Sequence, residues 1–202
     1  MNLHFLNRAS IKSKTEMDKI NPYKTEFFRE LGEVNIEALK ARIDQLSVQF
    51  WEDQNAQKPN KFGALGSTRH IVFRFINSFK DHRFYSDSKL WEDWEEVLSP
   101  ILNSVATKMN YSTAEFPRVM LAKLPAKESI KAHIDASPAA QFPHKIHVPI
   151  TTNDQTYFCF EKSKKQMKVG EAYEVNNNIK HWAENKGNTD RIHLIFELFS
   201  VN

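Results

Sequence analysis

Between Phe116 and Phe199 the sequence repeats one texture. RVMLAKL, SIKAHID, KIHVPIT, TYFCFE, EAYEV, IKHWAEN and DRIHLIFELF are short, rich in β-branched or aromatic residues, and mostly alternate apolar with polar. Alternation with a period of two marks a strand with one buried face, because successive side chains leave a strand on opposite sides. The runs are punctuated by Pro125, by Pro138 and Pro143, by Asn153-Asp154, by Gly170, by the Asn176 to Asn178 triplet and by Gly187-Asn188. These are residues that stop strands and build turns. Some seven or eight closely spaced strands of this kind predict an antiparallel sandwich or jelly roll.

Upstream the period changes. Ile36, Leu39, Ile43, Leu46 and Phe50 recur at three- and four-residue steps, so Glu37 to Asp53 reads as one helix with an apolar stripe, capped by Asn35. A second helix, Lys89 to Asn110, carries Leu90, Trp94, Val97, Leu98, Ile101, Leu102, Val105 and Met109 on one face. Asp87 or Ser88 caps it, and Pro100 predicts a kink or break. Between the helices, Thr68 to Ile76 alternates as a half-buried strand, with Ile71, Phe73 and Phe75 on one side and His70, Val72 and Arg74 on the other. Phe27, Phe28 and Leu31 before Gly32 read as a short helical turn. Residues 1–25 read as a polar arm interrupted at Pro22, its basic run from Asn7 to Lys24 solvated.

No repeat, low-complexity tract or long linker divides the chain. The expectation is one α+β domain over residues 1–202: the arm, a helical support with one strand over 26–115, and a β core over 116–202. With 202 residues, 41% of them hydrophobic, the chain can bury a substantial core. Its 28 basic and 25 acidic residues are too evenly matched to argue for a nucleic-acid partner. The single cysteine, Cys159, excludes an intrachain disulfide and a cysteine zinc cage, and within YFCFE it reads as a buried thiol. No run approaches the ~20 apolar residues of a membrane span, and the first residues do not resemble a secretory leader. The expectation is therefore a cytoplasmic protein without a membrane partner.

The chemistry concentrates in the β-rich half. His133-x-Asp135 places an imidazole and a carboxylate two residues apart, on one face if both lie in a strand. His181, after the asparagine triplet, begins another strand and suits a third ligand. Two imidazoles and one carboxylate form a facial triad, a set that favours iron(II) and leaves coordination positions open. Arg191 heads the strand RIHLIFEL, in phase with His193 and Ile195. A buried arginine is costly without an anion, and its planar fork matches a carboxylate, so this position asks for an anionic cosubstrate beside the metal.

The order His-x-Asp, a basic-x-His strand, then His-x-x-x-Asn and Arg resembles the iron(II)/2-oxoglutarate-dependent dioxygenases. More narrowly it resembles the aspartyl/asparaginyl β-hydroxylase family, which also takes in some proline hydroxylases. The resemblance is specific over about Phe116 to Leu198. It implies a double-stranded β-helix, one of the jelly-roll forms, with Fe(II), 2-oxoglutarate and O2 as cofactors. His133, Asp135 and His181 match the iron ligands, and Arg191 matches the arginine that binds the distal carboxylate of 2-oxoglutarate. His147, and with it Lys145 in KIHVPI, match positions at the cosubstrate's other end, and Asn185 in HWAEN matches a motif asparagine. The family often has Arg-x-His where this chain has Lys145-Ile146-His147, and lysine keeps the charge without the fork. Some aspartyl β-hydroxylases lack the carboxylate ligand, so Asp135 leans the chain toward the proline-hydroxylase-like members.

The activity this implies is hydroxylation of an amino acid or a peptidyl Asp, Asn or Pro, with release of succinate and carbon dioxide. Arg69, Arg74, Arg118 and His144 are candidates to hold a substrate carboxylate. Two other readings stay open on the residues alone: a cupin-like binding module without catalysis, and a metal-dependent cupin enzyme that makes no use of 2-oxoglutarate. The first has no need of all three triad residues, and the second has no need of Arg191.

Overall fold

The computed structural model describes residues 24–59 and 61–201. The polar arm expected over 1–25 lies outside the described residues except for its last two. Eleven strands run β1 (Phe28–Glu33), β2 (Arg69–Ile76), β3 (Tyr85–Asp87), β4 (Ala114–Leu124), β5 (Ser129–His133), β6 (His144–Thr151), β7 (Thr156–Phe160), β8 (Lys164–Lys165), β9 (Glu171–Val175), β10 (His181–Asn185) and β11 (Arg191–Ser200). The helices are α1 (Glu37–Ile43), α2 (Val48–Gln57), α3 (Trp91–Lys108) and α4 (Pro138–Gln141).

Every alternating run downstream of Phe116 forms a strand, and all pairings are antiparallel. The large sheet has seven strands in the order β1-β9-β6-β11-β4-β2-β3, and the small one four in the order β5-β10-β7-β8. The sheets face each other as a double-stranded β-helix. Phe158 and Phe160 of the small sheet meet Tyr173 and Val175 of the large one in an apolar cluster at one end. On the other side of the large sheet Ile71, Phe73, Val119, Leu121, Val148, Leu194 and Phe196 pack against Leu39, Trp94, Leu98, Leu102 and Val105 of the helices. Burying each such side chain contributes ~1.5–3 kcal/mol, so the helices brace the sheet whose inner face lines the cavity.

Four local expectations give way to tertiary pairing. Phe28 to Glu33 is a strand, not a helical turn: it pairs with β9, and Gly32 takes φ +82° where the register slips by one residue. A bulge of that kind needs the positive φ that glycine adopts at little cost. The helix expected over Glu37 to Asp53 is two, because the Ser47 side chain accepts a bond from Phe50 N–H (3.0 Å) and starts α2 afresh. The long helix α3 runs through Pro100 unbroken, and Pro100 is on the exposed face where a freed carbonyl meets water. Neither Asp87 nor Ser88 caps it: the N-cap position is Leu90, which has no side-chain cap bond, and Ser88 Oγ accepts from Leu90 N–H in the turn before the helix. Finally, β2 slips register between Val72 and Arg74, so Phe75 leaves the face shared by Ile71 and Phe73 and joins His70 along the cavity. The amino-terminal half thus supplies three strands, β1 to β3, to the large sheet where one was expected.

Cys159 is buried and free, and burial pushes its thiol above the ordinary range, as expected of an inert residue. No helix among the described residues is long and apolar enough to cross a membrane.

Candidate metal centre and cosubstrate pocket

The antiparallel pairing of β5 with β10 sets His133 directly opposite His181. Their rings lie 4.3 Å apart between centroids. β5 ends at His133, so Asp135 stands in the following turn and not in the strand; its N–H donates to Asn177 C=O (3.0 Å), which holds the turn back toward the site. One ligand atom from each of His133, Asp135 and His181 falls within 4.8 Å of the others. His133 Nε2 is 3.7 Å from Asp135 Oδ1.

The tautomers follow from the neighbours. His133 Nδ1 lies 2.7 Å from Lys131 C=O and His181 Nδ1 lies 2.9 Å from Ile179 C=O. A carbonyl only accepts, so each Nδ1 carries the proton and each Nε2 keeps its lone pair toward the shared point, the arrangement usual for metal-binding imidazoles. Burial lowers the His181 pKa to about 4, against the opposing pull of Asp135, and keeps the ring neutral. For Asp135, burial pushes the pKa up, but the charge and hydrogen bond of Lys145 lead the opposing effects, which hold the carboxyl below the ordinary range. A neutral His181 and an ionised Asp135 are in the protonation states that a divalent metal needs.

A cavity of about 580 Å³ opens beside this cluster. On its large-sheet wall lie Arg191, His147, Lys145, Arg118 and Glu197, with apolar Met120, Ile195 and Phe75 among them, and Phe158 lines it from the small sheet. Arg191 is only 1% exposed, yet among the described residues its Nε and Nη1 have no hydrogen-bond partner, and Nη2 meets His193 Nδ1 at 2.7 Å. Burial draws this guanidinium down to about 9, still charged at neutral pH. Burial also keeps His147 and His193 neutral, with Arg191 adding to the effect. The two rings are 3.3 Å apart between Nδ1 atoms. A buried charged guanidinium with two nitrogens, Nε and Nη1, unpartnered among the described residues, beside neutral histidines, fits an anion such as a carboxylate.

The fold therefore brings all six expected site residues to one cavity: His133, Asp135, His181, His147, Lys145 and Arg191. Lys145 is engaged with Asp135 Oδ2 and lies 3.9 Å from Glu197 Oε1. Asn185 is elsewhere. Its Nδ2 donates to Leu124 C=O, Pro125 C=O and Thr189 C=O, and its Oδ1 accepts from Asn153, Thr156 and Gly187 N–H, so it clamps the strand ends. Of the four substrate-carboxylate candidates only Arg118 reaches the cavity. Arg69 pairs with Glu52, Arg74 with Asp87, and His144 with Glu174 and Tyr111 Oη. Glu197 was not anticipated from the sequence. Its signal was the period of two, since Arg191, His193, Ile195 and Glu197 share one phase of β11.

A double-stranded β-helix carrying two histidines and a carboxylate beside a buried arginine defines the iron(II)/2-oxoglutarate oxygenase class. The sequence matches the model of the aspartyl/asparaginyl beta-hydroxylase family over residues 35–200, and the chain belongs to that family. It is an enzyme of the class, whose cofactors are Fe(II), 2-oxoglutarate and O2. Among solved structures, one similar in fold is an oxidoreductase of the 2OG-Fe(II) oxygenase family from Burkholderia pseudomallei, at TM-score 0.54 and 12% identity over 80% of this chain and 78% of that one. Another is the viral collagen prolyl hydroxylase of Paramecium Bursaria Chlorella virus-1, at TM-score 0.51 and 11% identity over 87% and 97%. At such identities the likeness concerns the fold. No curated protein matches the sequence closely.

Proposed function

We propose that this enzyme hydroxylates an amino acid, free or peptidyl (Asp, Asn or Pro), and releases succinate and carbon dioxide. On this reading His133, Asp135 and His181 hold the metal, Arg191 grips the distal carboxylate of 2-oxoglutarate, and His147 flanks its other end. The observation that carries the reading is the buried Arg191 guanidinium, two of its nitrogens unpartnered among the described residues, in the same cavity as the triad. A metal site alone would not require it.

When bound, iron(II) with 2-oxoglutarate and O2 supplies the oxidant for a C–H bond, one oxygen atom entering the product and the other the succinate. The chain's own residues do the rest. The two Nδ1–H bonds to backbone carbonyls hold both imidazoles in the ligating tautomer. Lys145 engages Asp135 Oδ2, leaving Oδ1 toward His133 for ligation. Arg191 orients the cosubstrate, while His147 and His193, kept neutral, add no competing positive charge. Phe75, Met120, Phe158 and Ile195 line the cavity with apolar surface and limit water beside the reacting bond. Arg118 is placed to receive a substrate carboxylate.

The test is succinate release from 2-oxoglutarate with Fe(II) and ascorbate, across a panel of free amino acids and Asp-, Asn- and Pro-containing peptides. Stimulated release by a member of the panel, abolished in His181→Ala, supports the proposal. If none stimulates release, and the protein does not bind 2-oxoglutarate, the proposal fails.

A further inference from the structure

Glu197 is 1% exposed and faces the cavity. Cross-strand pairing sets it between Arg118 of β4 and Lys145 of β6. Its Oε2 accepts from Arg118 Nη1, while Oε1 is buried without a hydrogen-bond partner among the described residues. Lys145 Nζ, at 3.9 Å, is beyond hydrogen-bond range of Oε1 and is engaged with Asp135 Oδ2. One lysine therefore separates the open carboxylate oxygen from the triad, and the charges alternate along the wall as Arg118, Glu197, Lys145, Asp135.

Buried carboxylate oxygens are rarely left without a donor, and those that are call for an explanation. A purely structural cross-strand ion pair explains Oε2 and Arg118. It does not supply a donor to the second, buried oxygen of a residue that lines a cavity already carrying cations for anionic ligands.

We infer that Glu197 Oε1 receives a protonated amine of the substrate, so that this enzyme acts on a molecule that carries a free amino group. The assignment rests on the oxygenase reading of the same site. An ammonium group supplies the missing donor as a charge-assisted bond, about twice as strong as the neutral one that a peptide N–H would offer. Arg118, bound to the other oxygen of Glu197, stands beside it for the carboxylate of an amino acid. The amine has two possible sources, the α-amino group of a free amino acid or the side chain of a lysine-like residue.

The experiment measures 2-oxoglutarate-dependent succinate release with free L-amino acids, with their N-acetyl amides, and with N-acetyl-lysinamide. Alongside it, the same probes are titrated calorimetrically into anaerobic protein loaded with Mn(II) and 2-oxoglutarate. A site built around a buried acceptor rejects ligands lacking the donor by about 10⁴-fold. The expected result is turnover and binding confined to probes with a free amine; if the side chain is the source, lysine and N-acetyl-lysinamide are active and the other N-acetyl amides are not. In Glu197→Gln the preference for the free amine over its N-acetyl amide collapses by roughly 100-fold or more. A residue that only braces the strands would lower both members of the pair together and leave their ratio unchanged. Equal turnover of free and N-acetylated probes, or an unchanged ratio in Glu197→Gln, overturns the assignment while 2-oxoglutarate binding stays intact. Loss of 2-oxoglutarate binding by the Mn(II)-loaded wild-type protein instead overturns the oxygenase reading beneath it.

Discussion

Replacing Arg191 with Met removes the charge and keeps an unbranched apolar stem, and its two consequences have opposite signs. Burial lowers the guanidinium from 12.5 to about 9. At about 1.4 kcal/mol per pH unit, holding this charge costs the protein about 5 kcal/mol when no anion is present. Against that stands one hydrogen bond to His193, ~1 kcal/mol. At pH 7.5, below both values, the arginine is charged folded or unfolded, so the full cost applies. The metal-free Arg191→Met protein should be more stable than the parent in urea by a few kcal/mol, read as a higher midpoint at an unchanged slope. Binding moves the other way. Two charge-assisted bonds to a carboxylate, ~1.5–3 kcal/mol each, make a loss of 2-oxoglutarate affinity of about 10²–10⁴-fold. At 100 times its Kd, 2-oxoglutarate with Mn(II) should stabilise the parent by about 2.7 kcal/mol and leave the variant unmoved at the same concentration. A variant that is destabilised without ligand, or that binds 2-oxoglutarate as the parent does, would refute the idea that Arg191 is a strained charge awaiting its anion.

Alanine at His133, Asp135 or His181 should each weaken Mn(II) binding by about 100-fold or more in calorimetric titration, as loss of one of three ligands demands; a change within threefold at any of them counts against the triad. Asn185→Ala strands several buried backbone and side-chain partners and should cost about 3 kcal/mol in urea unfolding, without altering 2-oxoglutarate affinity. A Cβ at Gly187 would collide with the Asn153 side-chain amide, so Gly187→Ala loosens the same clamp, and its cost should not add to that of Asn185→Ala. Acid should destabilise the fold through His70, whose pKa burial lowers to about 3, with Lys58, Lys145 and Arg191 adding to the effect. Because the folded value lies below the unfolded one, its stabilising share is full above pH 6.5 and is lost as pH falls from there toward 3. At pH 5 the loss from this residue is about 2 kcal/mol, and unfolding curves at pH 7.5 and pH 5 should show that drop shrink in His70→Gln.

The strands of the carboxy-terminal half were legible in the sequence because a two-residue period reports a half-buried surface directly. The same period put Arg191, His193, Ile195 and Glu197 in one phase, and His133-x-Asp135 announced a pair of ligands. Register and pairing were not legible, since they depend on partners far along the chain. Only the tertiary structure set His133 opposite His181, swung Phe75 to the cavity through a bulge in β2, and made Phe28 to Glu33 a strand by giving it β9 to bond. It also decided what each charge does. Lys145 faces Asp135, Arg118 is joined to Glu197, and Arg191 is left with open donors. Sequence determines which side chains share a face wherever a strand keeps its period, because that alternation is local. Which of them meet, and which are left without a partner, is decided by packing across the sheets.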